Sequence, residues 1–380
     1  MTAGLTTNQR APSEGARSSR RFEVIVIGAG QAGLAMGYFL AQQSRHFVVL
    51  DGARSIGAAW RARWDSLTLF TPRRYDGLPG LEFSGDADGY PTRDEVIEYL
   101  ERYADKFDLP IALEHGVRSL SRTDDSFVLD LEDGSSIEAD QVIVATGPFQ
   151  IPHVPVFAAD LAPDVFQVHS TGYRNPSDLP KGTVLVAGGG NTGFQIAQEL
   201  AATHEVHLAV GSRQLPLPQR FFGRDLFWWL ERTRVLHKTV DTRLGKRMRE
   251  RDTLIGSSPR SAKRHGVNMK PRAVGVSGRT VSFTDESTLD VDAVIWATGY
   301  RFDHSWIELP VADDDGKLLH RRGVTDVRGL YFLGLPWQHT RGSALLGWVK
   351  DDAEFIADAI ANFTKDRTDF VREGELVHAN

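Results

Sequence analysis

The sequence predicts an α/β protein in which one arrangement of strand, glycine-rich loop and helix occurs twice. Two G-x-G-x-x-G loops, beginning at Gly28 and Gly188, stand 160 positions apart. Two Ala-Thr-Gly triplets, ending at Gly147 and Gly299, stand 152 positions apart. Repetition of two separate motifs at nearly the same spacing indicates two similar halves arranged in tandem.

The first half opens with an apolar segment, residues 22–27, that shows no polar alternation. Such a segment suits a strand buried on both faces of a parallel sheet. The first glycine loop follows directly, residues 34–43 continue as a predicted helix, and residues 47–50 form a second predicted strand. This order is a complete βαβ unit of the Rossmann type.

Each feature of that unit has a physical role. Gly28 permits the tight turn, Gly30 lets the backbone approach a pyrophosphate, and Gly33 lets the helix pack close to the strand. Asp51 closes the second strand, where a carboxylate can accept hydrogen bonds from a ribose. The combination predicts a dinucleotide site.

The second half has the same order, with predicted strands at 183–187 and 206–210 around the second loop and its helix. Where the first half has an acid, the second has Gly211-Ser212-Arg213-Gln214. No carboxylate is available there for a free 2′-hydroxyl, and Arg213 can pair with a 2′-phosphate. This predicts NADPH in preference to NADH, although Arg213 as an ordinary solvated loop residue is the alternative.

The chain after the second triplet is too short for a third domain, and it contains a predicted strand at 329–334 and a predicted helix at 352–363. We expect it to return to the first half. The predicted division is therefore a discontinuous first domain, 22–154 with 297–365, and an inserted second domain, 155–296. A disordered tail is expected at 1–21, with a transit peptide as the weaker alternative, and a loose tail at 366–380.

Composition excludes several classes of function. The chain has no cysteine, which removes disulfides, thiolate metal sites and every dithiol redox relay. A formal net charge of −6 gives no general attraction to nucleic acid, and no apolar run is long enough to span a bilayer. No metal-ligand spacing occurs. We expect a cytoplasmic protein.

Several separated motifs in one order carry a resemblance to a known family. The glycine loops and triplets are joined by Ile56-Gly57-Ala58-Ala59-Trp60-Arg61 and by Tyr90-Pro91-Thr92-Arg93. Together, over about residues 22–363, they resemble the class B flavin-dependent monooxygenases, and most of all their CzcO-type and YUCCA-type members. The resemblance implies two Rossmann-like domains, one for FAD and one for NADPH, with the second inserted in the first.

The resemblance also implies cofactor-binding residues, position by position. For FAD these are Gly28, Gly30, Gly33, Asp51, Ala59, Trp60 and Val117, the last through its backbone. For NADPH, with NADH left open as a second donor, they are Gly188, Gly190, Asn191, Thr192, Gly193, Ser212 and Arg213. The triplet glycines Gly147 and Gly299 complete the set.

Two departures from the family pattern bear on activity. The segment 166–173 keeps His169 of the monooxygenase linker motif, but Pro163 and Val165 replace its Phe and Gly. This argues against a typical Baeyer–Villiger enzyme and makes His169 a hinge or linker residue. Phe70 stands where many N- and S-oxygenating relatives carry a flavin-side Asn. No catalytic side chain is identified, so the chemistry is expected to be the flavin's.

The segment 219–264 is aromatic at its start and basic afterwards. We expect a helical subdomain that packs on the NADPH domain, with its aromatic residues at the substrate entrance. A membrane-surface helix or a site for an anionic partner is the alternative.

The expected function is an FAD- and NADPH-dependent monooxygenase that forms a flavin C4a-(hydro)peroxide and oxygenates a small organic substrate at S, N or a ketone. An NADPH oxidase or flavin reductase, which releases peroxide or reduces a quinone-like acceptor, is the first alternative. A flavoprotein redox sensor or metal-resistance accessory protein is the second. The expected partners are dioxygen and a small-molecule substrate; homodimerisation is left open.

Overall fold

A computed structural model of the chain describes residues 20–377 except Asp125, Arg213 and Asp252, and the side chains as far as residue 363. Its two largest β-sheets, the first mixed and the second parallel, are built on the same plan. The strands are β1 (Arg20–Ile27), β2 (Phe47–Leu50), β3 (Ile111–Ala112), β4 (Val117–Arg122), β5 (Phe127–Leu131), β6 (Ser136–Val144), β7 (Ile151–Pro152), β8 (Phe166–His169), β9 (Thr183–Ala187), β10 (Glu205–Ala209), β11 (Leu215–Leu217), β12 (Arg220–Phe221), β13 (Arg224–Asp225), β14 (Thr253–Ile255), β15 (Asn268–Lys270), β16 (Ala273–Ser277), β17 (Thr280–Phe283), β18 (Thr288–Asp290), β19 (Ala293–Trp296), β20 (Tyr300–Arg301) and β21 (Leu330–Phe332). The helices are α1 (Gln31–Gln42), α2 (Ala58–Arg61), α3 (Arg93–Lys106), α4 (Asn191–Leu200), α5 (Leu226–Arg232), α6 (Arg243–Arg249), α7 (Pro259–Arg264) and α8 (Val349–Val377).

The first sheet has the strand order β3-β2-β1-β6, with β21 parallel to the carboxyl-terminal part of β6. The antiparallel strands β5 and β4 extend the sheet beside the amino-terminal part of β6. Strand β21 lies in the region that the sequence predicts to return to the first half. The carboxyl ends of β1, β2 and β6 meet at one edge, where parallel sheets bind ligands.

The second sheet has the order β15-β10-β9-β19-β8, and all five strands are parallel. The two sheets correspond strand by strand. The places of β1, β2, β3 and β6 in the first sheet are taken in the second by β9, β10, β15 and β19, respectively. The fifth strand of the second sheet is β8, which pairs with β19 and precedes the second glycine loop in sequence. The matching strand of the first sheet is β21, which pairs with β6 and comes from the last part of the chain. The duplicated fold is confirmed, and the domain limits at residues 155 and 297 stay a prediction.

Helices α1, α3 and α8 cover one face of the first sheet. Helix α3 begins with a capping box, because Thr92 accepts a hydrogen bond from the Glu95 amide and the Glu95 carboxylate accepts one from the Thr92 amide. Its buried side chains recur at helical spacing, at Val96, Leu100 and Tyr103. This fixes α3 against the wall of the cavity described below.

The secondary structure differs from three sequence expectations. Strand β1 begins at Arg20, so residues 20 and 21 belong to the sheet, while residues 1–19 of the expected tail lie outside the described residues. Helix α8 continues to Val377, through the stretch expected to be a loose tail; that stretch is rich in charged helix formers and has no proline. The segment 219–264 contains short strands as well as α5, α6 and α7.

Within residues 20–377, leaving aside the three positions named above, no helix is both long and apolar enough to cross a membrane. The same described residues contain no group of three or more His, Asp or Glu side chains placed to hold a metal ion.

A buried carboxyl group lies in the loop between α2 and α3. The Asp76 side chain is fully buried, and its Oδ1 accepts a hydrogen bond of 2.6 Å from Thr71 Oγ1. Its Oδ2 has no hydrogen-bond partner among the described residues. Burial raises the pKa of Asp76 to about 8. The folded protein therefore keeps a proton on Asp76 that an unfolded chain releases near pH 4.

We expect Asp76→Asn to remove a pH dependence of stability. Because the folded pKa is raised, the wild type should lose stability relative to Asp76→Asn as pH increases from about 4 to about 8, by about 1.4 kcal/mol per pH unit. Urea unfolding of both proteins across this range measures the difference. The exposed Asp314→Asn serves as the control and should follow the wild type. If the free energies of unfolding of wild type and Asp76→Asn differed by the same amount at every pH in this range, the protonated state of Asp76 in the folded protein would be contradicted.

Candidate functional site

The first glycine loop lies between the end of β1 and the start of α1. Gly28 has φ +107°, and a Cβ at this position would lie 2.6 Å from the carbonyl oxygen of Ala145. A Cβ at Gly33 would overlap the carbonyl oxygen of Gly28. A Cβ at Gly30 would meet no protein atom within 4 Å. The protein itself therefore requires Gly28 and Gly33, whereas the space at Gly30 is open.

Helix α1 presents its amino end to this open space. Gly30 is the N-cap residue, no side chain caps the helix, and no acidic residue occurs in its first turn. The first backbone N–H groups of a helix have no partner within the helix, and they carry the positive end of the helix dipole. A pyrophosphate fits this donor set.

Asp51 holds the loop as well as facing the site. Its Oδ2 accepts a hydrogen bond of 2.7 Å from the Ala29 amide, and its Oδ1 accepts one of 2.8 Å from the Ala53 amide. These bonds leave further lone pairs on both oxygens for a ribose hydroxyl. The acid at the end of β2 thus orients the first glycine loop and offers an acceptor beside it.

A cavity of about 540 Å³ opens from this loop. Seven of the predicted cofactor-binding residues line it, and they are Gly28, Gly30, Asp51, Ala59, Trp60, Val117 and Gly147. Gly33 is not in the lining, because it lies where α1 packs against the turn. Sequence reasoning missed the lining residues Arg63, His115, Thr146, Phe149, Gln150, Asp303 and Trp306. Proximity to the Trp60 and Gly147 motifs was the available signal for four of them.

The second glycine loop repeats the geometry of the first. Gly188 has φ +139°, and a Cβ there would overlap the carbonyl oxygen of Ala297. A Cβ at Gly193 would overlap the carbonyl oxygen of Gly188, while a Cβ at Gly190 would meet nothing within 4 Å. Helix α4 begins after Gly190 without a side-chain cap. This second donor set lies outside the 540 Å³ cavity.

Two predicted residues open helix α4 itself. Asn191 Oδ1 accepts a hydrogen bond of 3.0 Å from the Ile255 amide, which ties the helix start to β14. Thr192 follows in the first turn and is partly exposed. The side chain of Asn191 therefore acts first as a structural tie, and the open backbone at Gly190 remains the ligand-facing feature.

The position that matches Asp51 differs from the sequence expectation. The Gly28 amide donates to Leu50 O and the Gly188 amide donates to Ala209 O, so the residue that follows Ala209 is the counterpart of Asp51. That residue is Val210, and a Cβ on Gly189 would lie 2.7 Å from its Cγ1. The alignment of Gly211-Ser212-Arg213 with Asp51 is therefore wrong by one residue.

With Val210 at the position of Asp51, the two halves differ clearly in the polarity of this side chain. The Val210 side chain has no polar atom and cannot accept a hydrogen bond from a ribose hydroxyl. Gly211 and Ser212 follow it and are exposed, and Arg213 lies outside the described residues.

The two triplet glycines turn the chain at the ends of β6 and β19. Gly147 has φ +74° and Gly299 has φ +83°. Gly147 lines the cavity, and Gly299 O accepts a hydrogen bond of 3.0 Å from His169 Nε2. His169 also bonds through Nδ1 with Thr171 Oγ1 at 2.7 Å. Burial, helped by the charge of Arg63, holds the pKa of His169 below its ordinary value.

Arg63 connects the cavity wall with this junction. Its Nη1 donates to the Tyr300 hydroxyl, and its guanidinium carbon lies 4.6 Å from the ring centroid of Phe149. The Tyr300 hydroxyl in turn bonds with Thr171 Oγ1 at 3.0 Å. One arginine of the first half thus contacts residues that follow both triplets, and through Tyr300 it reaches the second half.

Phe70 does not line the cavity. Its ring stacks on Phe227 of α5, with ring centroids 5.9 Å apart and planes at 12°, and Phe227 lies 5.6 Å from the Trp348 ring. The Phe70 carbonyl accepts a hydrogen bond of 2.7 Å from Gln219 Nε2. Helix α5 therefore packs on residues of the first half, which differs from the expectation that it packs on the second.

Asp225 fixes the start of α5. Its Oδ1 accepts a hydrogen bond of 2.7 Å from the Phe227 amide, which caps the helix. Its Oδ2 accepts hydrogen bonds from the Tyr90 hydroxyl at 2.7 Å and from Gln219 Nε2 at 2.9 Å. Tyr90 belongs to the first half, so this carboxylate joins the two halves at the aromatic cluster.

Comparison with known proteins gives a consistent result. The sequence profile described as pyridine nucleotide-disulphide oxidoreductase matches residues 25–219. The chain is 47% identical to an uncharacterized CzcO-like oxidoreductase of Geobacillus kaustophilus, over 90% of this chain and 98% of that protein. It is 28% identical to the probable indole-3-pyruvate monooxygenase YUCCA3 of Arabidopsis thaliana, over 90% of this chain and 87% of that protein.

The fold also matches a solved structure. A flavin-containing monooxygenase from Stenotrophomonas maltophilia superposes with a TM-score of 0.77 and 28% sequence identity. The match covers 91% of this chain and 99% of that protein.

We expect alanine to destabilise the protein to very different extents at two glycines of one loop. Gly33→Ala should destabilise the protein by more than about 3 kcal/mol, because its Cβ would overlap the Gly28 carbonyl oxygen. Gly30→Ala should cost less than about 1 kcal/mol, because open space surrounds it. Urea unfolding of the nucleotide-free proteins measures both. Equal losses at the two positions would contradict the division between packing and ligand-facing glycines.

Proposed function

The chain belongs to the pyridine nucleotide-disulphide oxidoreductase family and, within it, to the flavin monooxygenase superfamily, and from this membership we propose that it oxygenates a small organic substrate at sulfur or nitrogen. It is an NAD(P)H-dependent flavoprotein oxidoreductase, and the superfamily uses FAD and NADPH. The family's disulphide chemistry does not extend to this chain, because the sequence has no cysteine to form a dithiol relay.

The observation that carries the proposal is the pair of open glycines. Gly30 and Gly190 each stand at the amino end of an uncapped helix, and in neither place would a Cβ meet a protein atom. Nothing in the protein prevents a side chain there. A glycine at each position is instead explained by a ligand that approaches the backbone closely, which supports two dinucleotide sites.

The first site fits FAD in donors, acceptors and space. The amino end of α1 would bind the pyrophosphate, Asp51 would accept a ribose hydrogen bond, and Val117 would offer its backbone to the adenine. Ala59 and Trp60 would lie along the cofactor in the cavity, where Trp60 is held by a hydrogen bond of 3.3 Å from its Nε1 to Gln31 Oε1. When bound, FAD accepts hydride from NADPH and activates dioxygen.

The second site fits NADPH in its electrostatics. Backbone groups from Gly188 to Gly193 would bind the coenzyme pyrophosphate at the amino end of α4. Val210 removes the acid that would repel a 2′-phosphate, and Arg213 would pair with that phosphate. The junction of Arg63 with Tyr300 would hold the two halves together while the nicotinamide lies near the flavin.

The protein would support oxygen transfer mainly by excluding water. Phe70, Phe227 and Trp348 form an apolar cluster beside the start of α8, and Val349, the first residue of α8, lines the cavity. An apolar wall slows the loss of activated oxygen to water. Phe70 nevertheless offers no amide to hold the activated oxygen, and we expect slow oxygenation with partial loss of NADPH to hydrogen peroxide.

The lack of a hydrogen-bond donor on Phe70 favours one competing function, that of an NADPH oxidase. A flavoprotein without a donor beside its flavin can act as an NADPH oxidase, in which all the reducing power appears as hydrogen peroxide. The two functions are separated by supplying a small thioether, NADPH and isotopically labelled dioxygen. Monooxygenation places label from dioxygen in the sulfoxide. Peroxide formed in equal amount to NADPH, without labelled sulfoxide, supports the oxidase.

We expect matched leucine substitutions to separate the two cofactors. Gly30→Leu should yield protein without flavin colour, because the side chain would fill the place of the FAD pyrophosphate. Gly190→Leu should keep its flavin and lose NADPH binding. Flavin content is measured from the visible spectrum, and NADP⁺ affinity by calorimetry. Full flavin occupancy in Gly30→Leu would show that the first site is misassigned.

A second prediction concerns Phe70. Phe70 lies outside the cavity lining, in the aromatic cluster, and the proposal places the reacting end of the flavin next to that cluster. Phe70→Asn should then raise the sulfoxide formed per NADPH consumed, because the amide can donate a hydrogen bond toward the activated oxygen. Phe70→Leu is the matched control, since it also removes the stacking on Phe227 but adds no donor. The coupling ratio of each variant is measured with flavin occupancy confirmed. Equal ratios in the two variants would place Phe70 outside reach of the reacting oxygen.

A further inference from the structure

The hairpin formed by β12 and β13 ends in an exposed aromatic turn. The strands pair Phe221 with Arg224, so Phe222 and Gly223 form a two-residue turn between them. Phe222 is 81% exposed and Phe221 is 51% exposed. Their ring centroids lie 4.3 Å apart. The tip of this hairpin thus presents two large apolar side chains to solvent.

The backbone of this turn is unfavourable for a phenylalanine. Phe222 has φ +49° and Gly223 has φ +74°. A two-residue hairpin turn with both φ angles positive usually contains asparagine or glycine, because a bulky side chain is disfavoured in the left-handed region. The folded chain covers little of the Phe222 side chain in return. A bulky apolar residue in such a backbone, open to solvent, indicates a contact outside the chain.

The outer face of α5 continues the aromatic surface. Helix α5 buries Phe227 on its inner face, whereas Trp228 and Trp229 are partly exposed. Trp229 Nε1 donates a hydrogen bond of 2.9 Å to Phe221 O, which joins the helix to the hairpin. The rings of Trp228 and Trp229 meet edge to face, with centroids 4.7 Å apart. Together Phe221, Phe222, Trp228 and Trp229 form the aromatic patch.

Arginine side chains border the aromatic patch. The Arg224 guanidinium carbon lies 5.4 Å from the ring centroid of Trp228. Arg232 follows Trp228 by one helical turn, at the i+4 position of α5, and is exposed. The exposed face of the hairpin and helix therefore combines aromatic rings with positive charge.

The acidic side chains of residues 219–240 are engaged within the protein. They are Asp225 and Glu231. Asp225 is buried and holds the bonds described above. Glu231 Oε1 accepts a hydrogen bond from Trp348 Nε1, and its Oε2 bonds with His237 Nε2 at 2.9 Å. Neither acid is available to neutralise an external partner of the arginines.

The charge of the chain is unevenly distributed. Residues 232–264, which continue from α5, contain eleven Lys or Arg against three acids, whereas the whole chain has a formal net charge of −6. The rest of the chain is therefore strongly acidic. Such an asymmetric charge distribution attracts the basic segment to an anionic surface and repels the remainder, which orients the molecule.

We propose that the aromatic patch and its bordering arginines bind the surface of an anionic lipid bilayer. Phenylalanine and tryptophan rings enter the boundary between headgroups and acyl chains, and arginine pairs with lipid phosphates. The contact is peripheral, because it consists of a hairpin tip and one face of a helix of seven residues. It uses no cofactor and so does not depend on the proposed function.

A bilayer suits this surface better than a nucleic acid does. Bases stack on open aromatic faces along a positively charged groove. In the aromatic patch the rings meet edge to face, with planes at 60° for Phe221 and Phe222 and at 89° for Trp228 and Trp229. Rings in this arrangement cover one another's faces, whereas the apolar volume that a bilayer accepts stays exposed at the tip.

The test measures cosedimentation of the full chain with two kinds of vesicle, phosphatidylcholine alone and an equimolar mixture with phosphatidylglycerol. We expect the wild type to bind the anionic vesicles at low salt, to bind the neutral ones weakly, and to dissociate as salt is added. Phe222→Asn should bind the anionic vesicles roughly 10-fold more weakly, because one inserted ring is lost. Arg224→Gln and Arg232→Gln should each weaken binding roughly fivefold.

The same asparagine variant separates binding from folding. Phe222→Asn should unfold in urea at the same or a slightly higher concentration than the wild type, because asparagine tolerates the left-handed backbone. Phe222→Leu keeps an apolar side chain and should retain most of the vesicle binding. Val156→Asn removes an apolar side chain that is 91% exposed outside the aromatic patch, and it should bind like the wild type.

Three results would overturn the inference. The first is a wild type that does not sediment with anionic vesicles at low salt, or that binds neutral vesicles equally well. The second is equal vesicle binding by Phe222→Asn and the wild type. The third is binding to a single-stranded oligonucleotide that Phe222→Asn weakens, without binding to vesicles, which would assign the patch to nucleic acid.

Discussion

The structure depends on a close approach of backbone to backbone at each glycine loop. Gly33 packs against the carbonyl of Gly28, and Gly193 packs against that of Gly188, so closely that no side chain fits between helix and turn. This contact places the amino end of each helix at the carboxyl edge of its sheet. The position of the two proposed sites follows from that placement, because the unpaired amides at the helix starts point where strands of the same sheet end.

Both halves contain the same arrangement of strand, glycine loop and helix, and they differ in the residues around this arrangement. The first half sets Asp51 beneath its loop and opens into a large cavity, whereas the second half sets Val210 there and is exposed. They are joined by specific side-chain contacts, of which two lie close to the sites. The Arg63 guanidinium reaches Tyr300, and Asp225 accepts the Tyr90 hydroxyl. In the proposed function, these contacts would supply the fixed geometry that hydride transfer between two separately bound dinucleotides requires.

Local sequence signals were sufficient to predict the duplicated arrangement of strand, glycine loop and helix. Loops, triplets and flanking apolar segments lie close in sequence, and their spacing predicts both sheets, while the motifs supply seven of the residues that line the cavity. The position of Val210 could not be read in this way, because the strand end was placed one residue too far and only the hydrogen bond to Ala209 O sets the register. The approach of Arg272 to Gly211 could not be predicted either, because it results from the parallel pairing of β10 with β15, a contact between segments about sixty residues apart that no local pattern encodes.

The central claim is that one chain binds a flavin and a nicotinamide coenzyme at two copies of one frame and transfers hydride between them. Anaerobic titration of the FAD-loaded protein with NADPH, followed by the visible flavin absorbance, tests it most directly. Bleaching of the flavin by NADPH in equimolar amount, with NADH much less effective at the same concentration, is the result expected from the two sites. A flavin that stays oxidised in excess NADPH would contradict the claim.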